Sequence, residues 1–345
     1  MSESDTVPCI TLAQGAGGAA MRQLVETLFA EAFDNPYLAK MEDQARLDLS
    51  ALQAVGDRLA FATDSYVIQP LEFPGGDIGR LAVNGTVNDL AVGGARPLFL
   101  SCAFIIEEGL PLPLLQRIVR SMADAAREAG VKIVTGDTKV VPRGQADGLF
   151  INTSGVGVIP KGCELAATRC RPGDAVLVSG TLGDHGAAIL NARGELGLES
   201  QWSSDCQPLH GLVEQMLARC SQVRALRDAT RGGVAAVLHE FAQASACSMR
   251  LFEAALPVRP EVRGVCELLG LDALHFANEG KLVAVVAAEQ AQALLAAMQA
   301  HPAGHEACII GEVLAGPAGQ VQILTGMGSE RLLDLPTGEL LPRIC

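Results

Sequence analysis

Residues 62–95 read ATDSYVIQPLEFPGGDIGRLAVNGTVNDLAVGGA, and this stretch decides the fold of the first half of the chain. Its apolar pattern predicts a strand over 58–68, and FPGG at 73–76 predicts a loop. The apolar segment that follows predicts a helix over 77–92. A strand that leads through a glycine turn into a helix is typical of an α/β domain.

The same alternation continues outward on both sides of this stretch. An amphipathic helix is predicted to end at Gly130, a typical C-cap residue. The pattern also predicts strands over 98–107, 131–135, 149–159, 175–179 and 281–286. It predicts helices after the GTLGDHG loop at 180–186, through residue 241 and over 290–298. The polar, turn-rich segment 160–173 separates two such series. The chain therefore belongs to the α/β (α+β) class with two domains.

We predict an N-terminal domain over 1–160, a C-terminal domain over 161–333 and a tail over 334–345. The tail reads DLPTGELLPRIC, with two prolines and one glycine, which favours an extended and mobile segment. The apolar fraction of 49% is sufficient for two cores, built from aliphatic residues because aromatics make up only 4%.

Charge and targeting features exclude several classes of function. Lys and Arg number 26 against 39 Asp and Glu, which gives −13, and no basic run is present, so we expect no nucleic-acid partner. The N-terminus has no signal-peptide pattern, and the apolar run 282–288 is too short to cross a bilayer. We therefore predict a cytoplasmic protein without a membrane partner. The ten cysteines form no CxxC pair and are expected to be free thiols.

Glycine-rich loops are the first candidates for ligand binding, because their backbone N–H groups can bind phosphate. They are GAGG at 15–18, GGD at 75–77, TGDT at 135–138, GTLGDHG at 180–186 and RGG at 231–233. One such loop is more often a simple turn, but five in one chain favour phosphate binding. We predict that Gly17, Gly18, Asp228 and Arg231 contact a nucleotide. Neither GxxxxGK[ST] nor a GxGxxG placed after a strand occurs.

Acidic residues near strand ends indicate a magnesium site that would hold the phosphates of ATP. The candidate ligands are Asp43, Asp64, Asp89 and Asp137, with Asp64, Asn88 and Asp137 also expected at the nucleotide. Each aspartate alone is more often a turn or cap residue. As a set they favour metal, if they lie at the ends of neighbouring strands. Asn88 and Asp89 are unfavourable inside a helix, so they indicate a side that faces a ligand.

Three further residues are candidates for the chemistry itself. Lys139 and Glu279 each follow a glycine turn and are of the types used for charge stabilisation and proton transfer. Cys345 ends the chain, so it does not form a CaaX prenylation box, which needs Cys fourth from the end. An exposed thiol is an oxidation liability, which favours a functional use. Extended from Asp334, the tail can reach about 35 Å, at roughly 3.3 Å per residue.

Taken together, the motifs of this sequence closely resemble the HypE family of hydrogenase maturation factors over nearly the whole chain. The resemblance is carried by GAGG, the stretch 62–95, TGDTKVV, VSGTLGDHG, ALRDATRGGV, FANEGKL and the ending PRIC. The wider superfamily of aminoimidazole ribonucleotide synthetase, selenophosphate synthetase and thiamine-monophosphate kinase shares the motifs other than the ending more loosely. One departure is Gln14, where many relatives have His.

The resemblance implies a specific reaction on a two-domain, aminoimidazole ribonucleotide synthetase-like fold. The N-terminal domains would form a β-barrel in a homodimer. A carbamoyltransferase of the HypF type would load Cys345, and ATP would drive dehydration of the S-carbamoyl group to a thiocyanate. A HypC–HypD type scaffold would pass the cyanide to the iron of [NiFe] hydrogenase. The four aspartates would hold Mg-ATP, while Lys139 and Glu279 would act at the tail.

Two other classes of function stay open at this point. A small-molecule kinase or synthetase of the same superfamily would have no use for Cys345, and Cys9 lacks the setting of a selenophosphate synthetase cysteine. A non-enzymatic carrier would only ferry a group on Cys345. Consumption of ATP coupled to modification of the tail distinguishes the enzyme from the carrier.

Overall fold

The computed structural model describes residues 7–194 and 202–335 of the chain. Within these residues, strands and helices form two α/β units, with one sheet between Arg58 and Ile159 and another between Ala175 and Leu332. The polar segment predicted to interrupt the pattern connects the two sheets. Among these residues no helix is both long and apolar enough to cross a membrane.

The first unit is a sheet covered on one face by helices. Its helices are α1 (Ala19–Leu24, continued by a π-helix over Val25–Ala30), α2 (Leu49–Gln53), α3 (Ile78–Val92) and α4 (Leu112–Glu128). Its strands are β1 (Arg58–Tyr66), β2 (Glu72–Phe73), β3 (Gly76–Asp77), β4 (Arg96–Glu107), β5 (Lys132–Val141) and β6 (Leu149–Ile159). The order β1-β6-β4-β5, with only β4 and β5 parallel, makes β1 and β5 the edge strands of this sheet as described.

Helix α3 is the centre of this unit. The Asp77 carboxylate accepts hydrogen bonds from the N–H groups of Gly79 and Arg80 at 2.7 and 2.9 Å, which fixes the start of the helix. Gly85 is required because a Cβ there would lie 2.2 Å from the Tyr66 hydroxyl oxygen. Most of the helix is buried, since it packs on the sheet and also faces the second unit.

The second unit has helices on both faces of a sheet with the order β13-β12-β9-β11-β7-β10-β8 among the described strands. The strands are β7 (Ala175–Val178), β8 (Val223–Asp228), β9 (Ser248–Phe252), β10 (Leu282–Val286), β11 (Cys308–Leu314), β12 (Gln320–Leu324) and β13 (Glu330–Leu332). The helices are α5 (Asp184–Ala192), α6 (His210–Arg219), α7 (Gly233–Ala244), α8 (Pro260–Leu269) and α9 (Ala291–Gln299). One apolar core lies under α7 and another under α6 and α9.

Most predicted elements of the first half are present, with two differences. The FPGG segment is not a plain loop but joins β2 to β3 in a tight hairpin. The strand predicted over 131–135 extends through the TGDT motif, so that Asp137 and Lys139 lie within β5. In the second half, β8, β9, β11, β12, β13, α6 and α8 were not predicted.

Candidate functional site

An acidic cluster lies where the two units meet. Asp64 on β1 is in the same alternating set as Tyr66, whose side chain is buried against α3. Asp89 lies on α3, Asp228 ends β8, and Glu279 precedes β10. Each of these last three has a pKa raised in part by other members of the cluster. The structure therefore brings together one group of the residues predicted from sequence.

Burial and mutual repulsion raise the pKa values of three carboxylates in the cluster. Burial, followed by repulsion from Asp64, raises the pKa of Asp89 to about 6. Burial, followed by repulsion from Asp89, raises the pKa of Asp228 to about 7. Burial, then Asp205 and Asp228, raise the pKa of Glu279 well above its ordinary value. Such a cluster favours binding of a cation or a proton.

Arg231 lies at the open side of the cluster. Its Nη2 is 4.0 Å from Oδ1 of Asp64, and its side chain is largely exposed. Next to it is a cavity of about 510 Å³, which we call cavity A, lined by Asp89, Asp228, Arg231, Leu226 and Phe241 among others. Charged groups on one side and apolar groups on the other suit a ligand with phosphates and a ring system. Asp228 and Arg231, which were predicted to contact a nucleotide, both line this cavity.

Asn88, which was predicted at the nucleotide, makes hydrogen bonds between the two units. Its Nδ2 donates to the backbone oxygens of Gln207 and Glu279 at 3.1 and 3.3 Å, and its Oδ1 accepts from Leu209 N–H at 2.7 Å. The side chain therefore joins α3 to two segments of the second unit. It orients the backbone at Glu279, and all its hydrogen-bonding groups are already engaged within the chain.

Asp205 is a site residue that sequence reasoning missed. Its Oδ1 accepts a hydrogen bond from the Glu279 N–H at 3.0 Å, and Lys281 Nζ lies 3.7 Å from its Oδ2. Gly280 is required because a Cβ there would lie 1.9 Å from the Asp205 carbonyl oxygen. Asp205 and Asn88 thus hold Glu279 by its backbone from two sides. No motif surrounds Asp205, so no pattern in the sequence indicates this contact.

Four of the other predicted residues form a second group at the β5 edge. Lys139 Nζ pairs with Asp137 Oδ2 at 2.8 Å, and both side chains are exposed while Thr138 between them is buried. They therefore point away from the helices. Gly17 and Gly18 belong to the same region, because Gly15 of their loop packs directly against Val140. Beyond Gly17 and Gly18 there is open space on the Cβ side.

The expectation that the predicted aspartates lie on neighbouring strands is wrong within one chain. Asp64 is on β1 and Asp137 is on β5, and these are the opposite edges of the sheet. Asp64 faces α3, whereas Asp137 faces away from the helices. Lys139 and Glu279 are separated in the same way. The order of the strands causes this separation, because β6 and β4 lie between β1 and β5. The sequence alone does not predict that order.

Two further predicted residues stand apart from both groups. Asp43 lies on an exposed loop. Cys345 lies outside the residues that the structure describes. Across residues 7–194 and 202–335, no three His, Cys, Asp or Glu side chains converge closely enough to hold a metal by themselves.

Comparisons with known proteins agree with this architecture. Residues 41–159 match the family described as AIR synthase related protein, N-terminal domain, and residues 171–324 match the corresponding C-terminal domain. The chain is 60% identical to carbamoyl dehydratase HypE of Escherichia coli (strain K12) over 336 residues, covering 97% of this chain and 99% of that protein.

Solved structures extend the agreement to three dimensions. A crystal structure of the hydrogenase maturation protein HypE in complex with ATP has a TM-score of 0.92 at 48% identity, covering 99% of this chain and all of that chain. HypE in a HypE–HypF complex has a TM-score of 0.78 at 49% identity, covering 92% of this chain. Because both domain models match and the identity spans nearly the whole length, the chain belongs to the carbamoyl dehydratase HypE family of hydrogenase maturation proteins.

Proposed function

We propose that this chain uses ATP to dehydrate an S-carbamoyl group on its own Cys345 to a thiocyanate, which supplies the cyanide of [NiFe] hydrogenase. The observation that carries the proposal is Glu279, a buried carboxylate whose neighbours Asp228 and Asp89 line cavity A. Burial, followed by repulsion from Asp205 and Asp228, raises its pKa, which suits it to accept a proton. The E. coli relative described as a carbamoyl dehydratase, and the HypE solved with ATP, support the same reaction.

The proposed chemistry balances in two steps. The amide oxygen of the S-carbamoyl group attacks the γ-phosphorus of ATP, which releases ADP and one nitrogen proton and leaves an O-phosphorylated imidate. Glu279 then takes the second nitrogen proton while the C–O bond breaks, so that inorganic phosphate leaves and S–C≡N remains. Phosphate is a far better leaving group than hydroxide, which is why ATP is needed. Lys139 would stabilise charge on the transferred phosphoryl group.

Magnesium fits the charge of the site. When bound, Mg²⁺ would neutralise the phosphates of ATP. It typically takes only one or two carboxylates, together with phosphate oxygens and water, so it does not need three converging protein ligands. Asp64 and Asp89 are the carboxylates we assign to it in this unit. Burial, followed by repulsion from Asp64, raises the pKa of Asp89. Asp43 and Asp137 remain predicted ligands.

The substitution Asp89→Asn is expected to weaken ATP binding in the presence of Mg²⁺ about tenfold, a loss of ~1.4 kcal/mol. The substitution keeps the size of the side chain but removes an anionic oxygen from the site. Calorimetric titration with ATP and Mg²⁺ measures the effect, and Asp137→Asn is expected to act in the same direction. Asp57→Asn is the control, because Asp57 is an exposed carboxylate of the same unit. Unchanged affinity in Asp89→Asn would remove this residue from the site.

We further propose that two copies of the chain complete the site as a homodimer. The sheet face opposite the helices leaves Leu59, Phe61 and Ile105 exposed at 60%, 73% and 41%. Such a face is a typical interface. Pairing the two edge strands, β1 of one copy with β5 of the other, would close a barrel. It would also bring β5 of one copy, which carries Asp137 and Lys139, next to β1 of its partner, which carries Asp64.

A charge at the centre of this face is expected to dissociate the dimer. We expect Phe61→Glu to give a monomer mass by light scattering at micromolar concentration, while the unchanged chain gives a dimer mass. Met327→Glu is the matched control, since Met327 is 97% exposed and lies in the second unit. A monomer mass for the unchanged chain would contradict the proposal.

The proposed partners follow from the group that Cys345 must receive and release. A carbamoyltransferase of the HypF type would load it, and the HypE–HypF complex supports this partner. A scaffold of the HypC–HypD type would accept the cyanide.

Intact mass of carbamoylated protein before and after addition of ATP tests the proposed function. Loss of one water confined to the C-terminal peptide is expected, whereas an unchanged mass would indicate a carrier that does no chemistry.

A further inference from the structure

A second cavity lies on the other side of Asp205 from the acidic cluster. This cavity, which we call cavity B, has a volume of about 440 Å³ and is lined by Asp184, Asp205, Lys281, Arg259 and Trp202 among others. Asp205 belongs to both places, because its carboxylate lines cavity B and also accepts the Glu279 N–H. Anything bound in cavity B is therefore close to the backbone of Glu279.

Cavity B contains buried polar atoms that lack a hydrogen-bond partner among the described residues. They are Oδ1 of Asp184, Oδ2 of Asp205 and the Nε1–H of Trp202. The two carboxylates are almost completely buried, at 7% and 2% side-chain exposure. An unsatisfied buried carboxylate oxygen is costly, so the arrangement fits a ligand that supplies donors. The indole N–H in turn fits a carbonyl oxygen of that ligand.

The cations already present do not satisfy these atoms. Arg259 Nε lies 3.4 Å from Oδ2 of Asp184, which leaves Oδ1 open. Lys281 Nζ lies 3.7 Å from Oδ2 of Asp205, too far for a hydrogen bond. A guanidinium group, with five donors in a planar fork, matches two carboxylates better than an ammonium does.

The chain can supply such a group itself. At the start of the tail, the backbone oxygen of Asp334 accepts a hydrogen bond from His275 Nε2 at 3.1 Å. His275 lies only four residues before Glu279 in the chain. From Leu335, the eight residues to Arg343 can span about 26 Å at roughly 3.3 Å each. Arg343 and Cys345 are two residues apart and would lie on one side of an extended segment. If the Cys345 thiol lies beside Glu279, Arg343 is therefore close enough to reach Asp205, which is hydrogen-bonded to the Glu279 N–H.

We propose that cavity B binds the guanidinium group of Arg343, with Asp184 and Asp205 as its carboxylate partners, and so docks the tail with Cys345 directed at Glu279. The proposal rests on the proposed function, since it assumes that Cys345 reacts beside Glu279. The tail is the occupant because its peptide groups also provide carbonyl oxygens for Trp202. Arg343 is then a positioning residue, which orders the tail without touching the reacting atoms.

Protection of Cys345 against alkylation tests the docking separately from the reaction. Full-length protein with Mg²⁺ and ATP is treated with iodoacetamide, and the mass of the peptide released by cleavage at Asp334 gives the rate. We expect alkylation about tenfold faster in Arg343→Gln, equivalent to ~1.4 kcal/mol of lost docking. Asp205→Asn, which keeps an acceptor for the Glu279 N–H, and Asp184→Asn should act similarly. Arg331→Gln is the control, because Arg331 pairs with Asp272 at the surface.

The double variant Arg343→Gln with Asp205→Asn decides whether the two residues act on each other. If they do, Cys345 in the double variant should be alkylated no faster than in the faster of the two single variants. Additive rates, equal rates in Arg343→Gln and the unchanged chain, or unprotected Cys345 in the unchanged chain would each overturn the proposal. Melting temperatures verify that the variants fold. Loss of water from carbamoylated Cys345 is read separately, so failure of docking and failure of the proposed function are distinguishable.

Discussion

Replacing Cys345 with alanine is expected to abolish formation of the thiocyanate while leaving the melting temperature and the ATP affinity unchanged. The reason is that both the carbamoyl and the cyano group are carried on this one sulfur atom, so no other group can take its place in the reaction. The measurement is intact mass after loading and addition of ATP, together with a thermal melt and a calorimetric titration.

The other cysteines provide the control for this experiment. Nine further cysteines are free thiols, and among them Cys9 is exposed. Cys9→Ala is expected to load and dehydrate at the normal rate, because its thiol only donates to the nearby Val7 carbonyl oxygen at 3.3 Å. A marked fall in the melting temperature of Cys345→Ala would show instead that the terminal residue supports the fold.

Local patterns in the sequence predict much of the first unit. Helix α3 can be predicted from the sequence because Asp77 caps its N-terminus and a continuous apolar segment follows. Strands in the second unit are harder to predict when buried charges interrupt them. In β8, for example, Arg224 is buried and lies 3.5 Å from Asp174, so the strand does not read as an apolar run. Propensity describes neighbours in sequence, whereas this pair forms only in the folded chain.

The candidate site shows the same limit more strongly. Asp64 and Asp89 were predicted within one set of metal ligands, whereas Asp228 and Glu279 were predicted separately. The fold places all four in one cluster. Asp205 was not predicted, since its contact with Glu279 joins residues 74 positions apart in the chain. The separation of Asp137 from Asp64 depends on strand order, which local periodicity does not encode.

The substitution Glu279→Gln is expected to slow dehydration on the order of 10²–10⁴-fold, the usual contribution of a general base. Gln keeps the size of the side chain, and the backbone contacts of residue 279 with Asp205 and Asn88 do not depend on the carboxylate. ATP is therefore expected to bind normally. The measurement is single-turnover conversion of carbamoylated Cys345, followed by mass as loss of one water.

The pH dependence of the same reaction gives an independent test of Glu279. Burial, then Asp205 and Asp228, raise its pKa, and only the unprotonated carboxylate can accept a proton. The rate in the unchanged chain is therefore expected to rise with pH through this raised pKa, and Glu279→Gln should lose that rise. Near-normal conversion in Glu279→Gln, with the pH dependence intact, would assign the base to another group.

Mixed dimers then show how Lys139 and Glu279 are combined. Lys139→Ala is expected to fail because phosphoryl transfer loses charge stabilisation. If one copy supplies Lys139 and its partner supplies Glu279, a dimer of one Lys139→Ala chain and one Glu279→Gln chain contains one intact site. Conversion should then return when the two inactive variants are unfolded and refolded together. If both residues acted within one chain, every site in the mixture would carry one substitution and conversion would stay low.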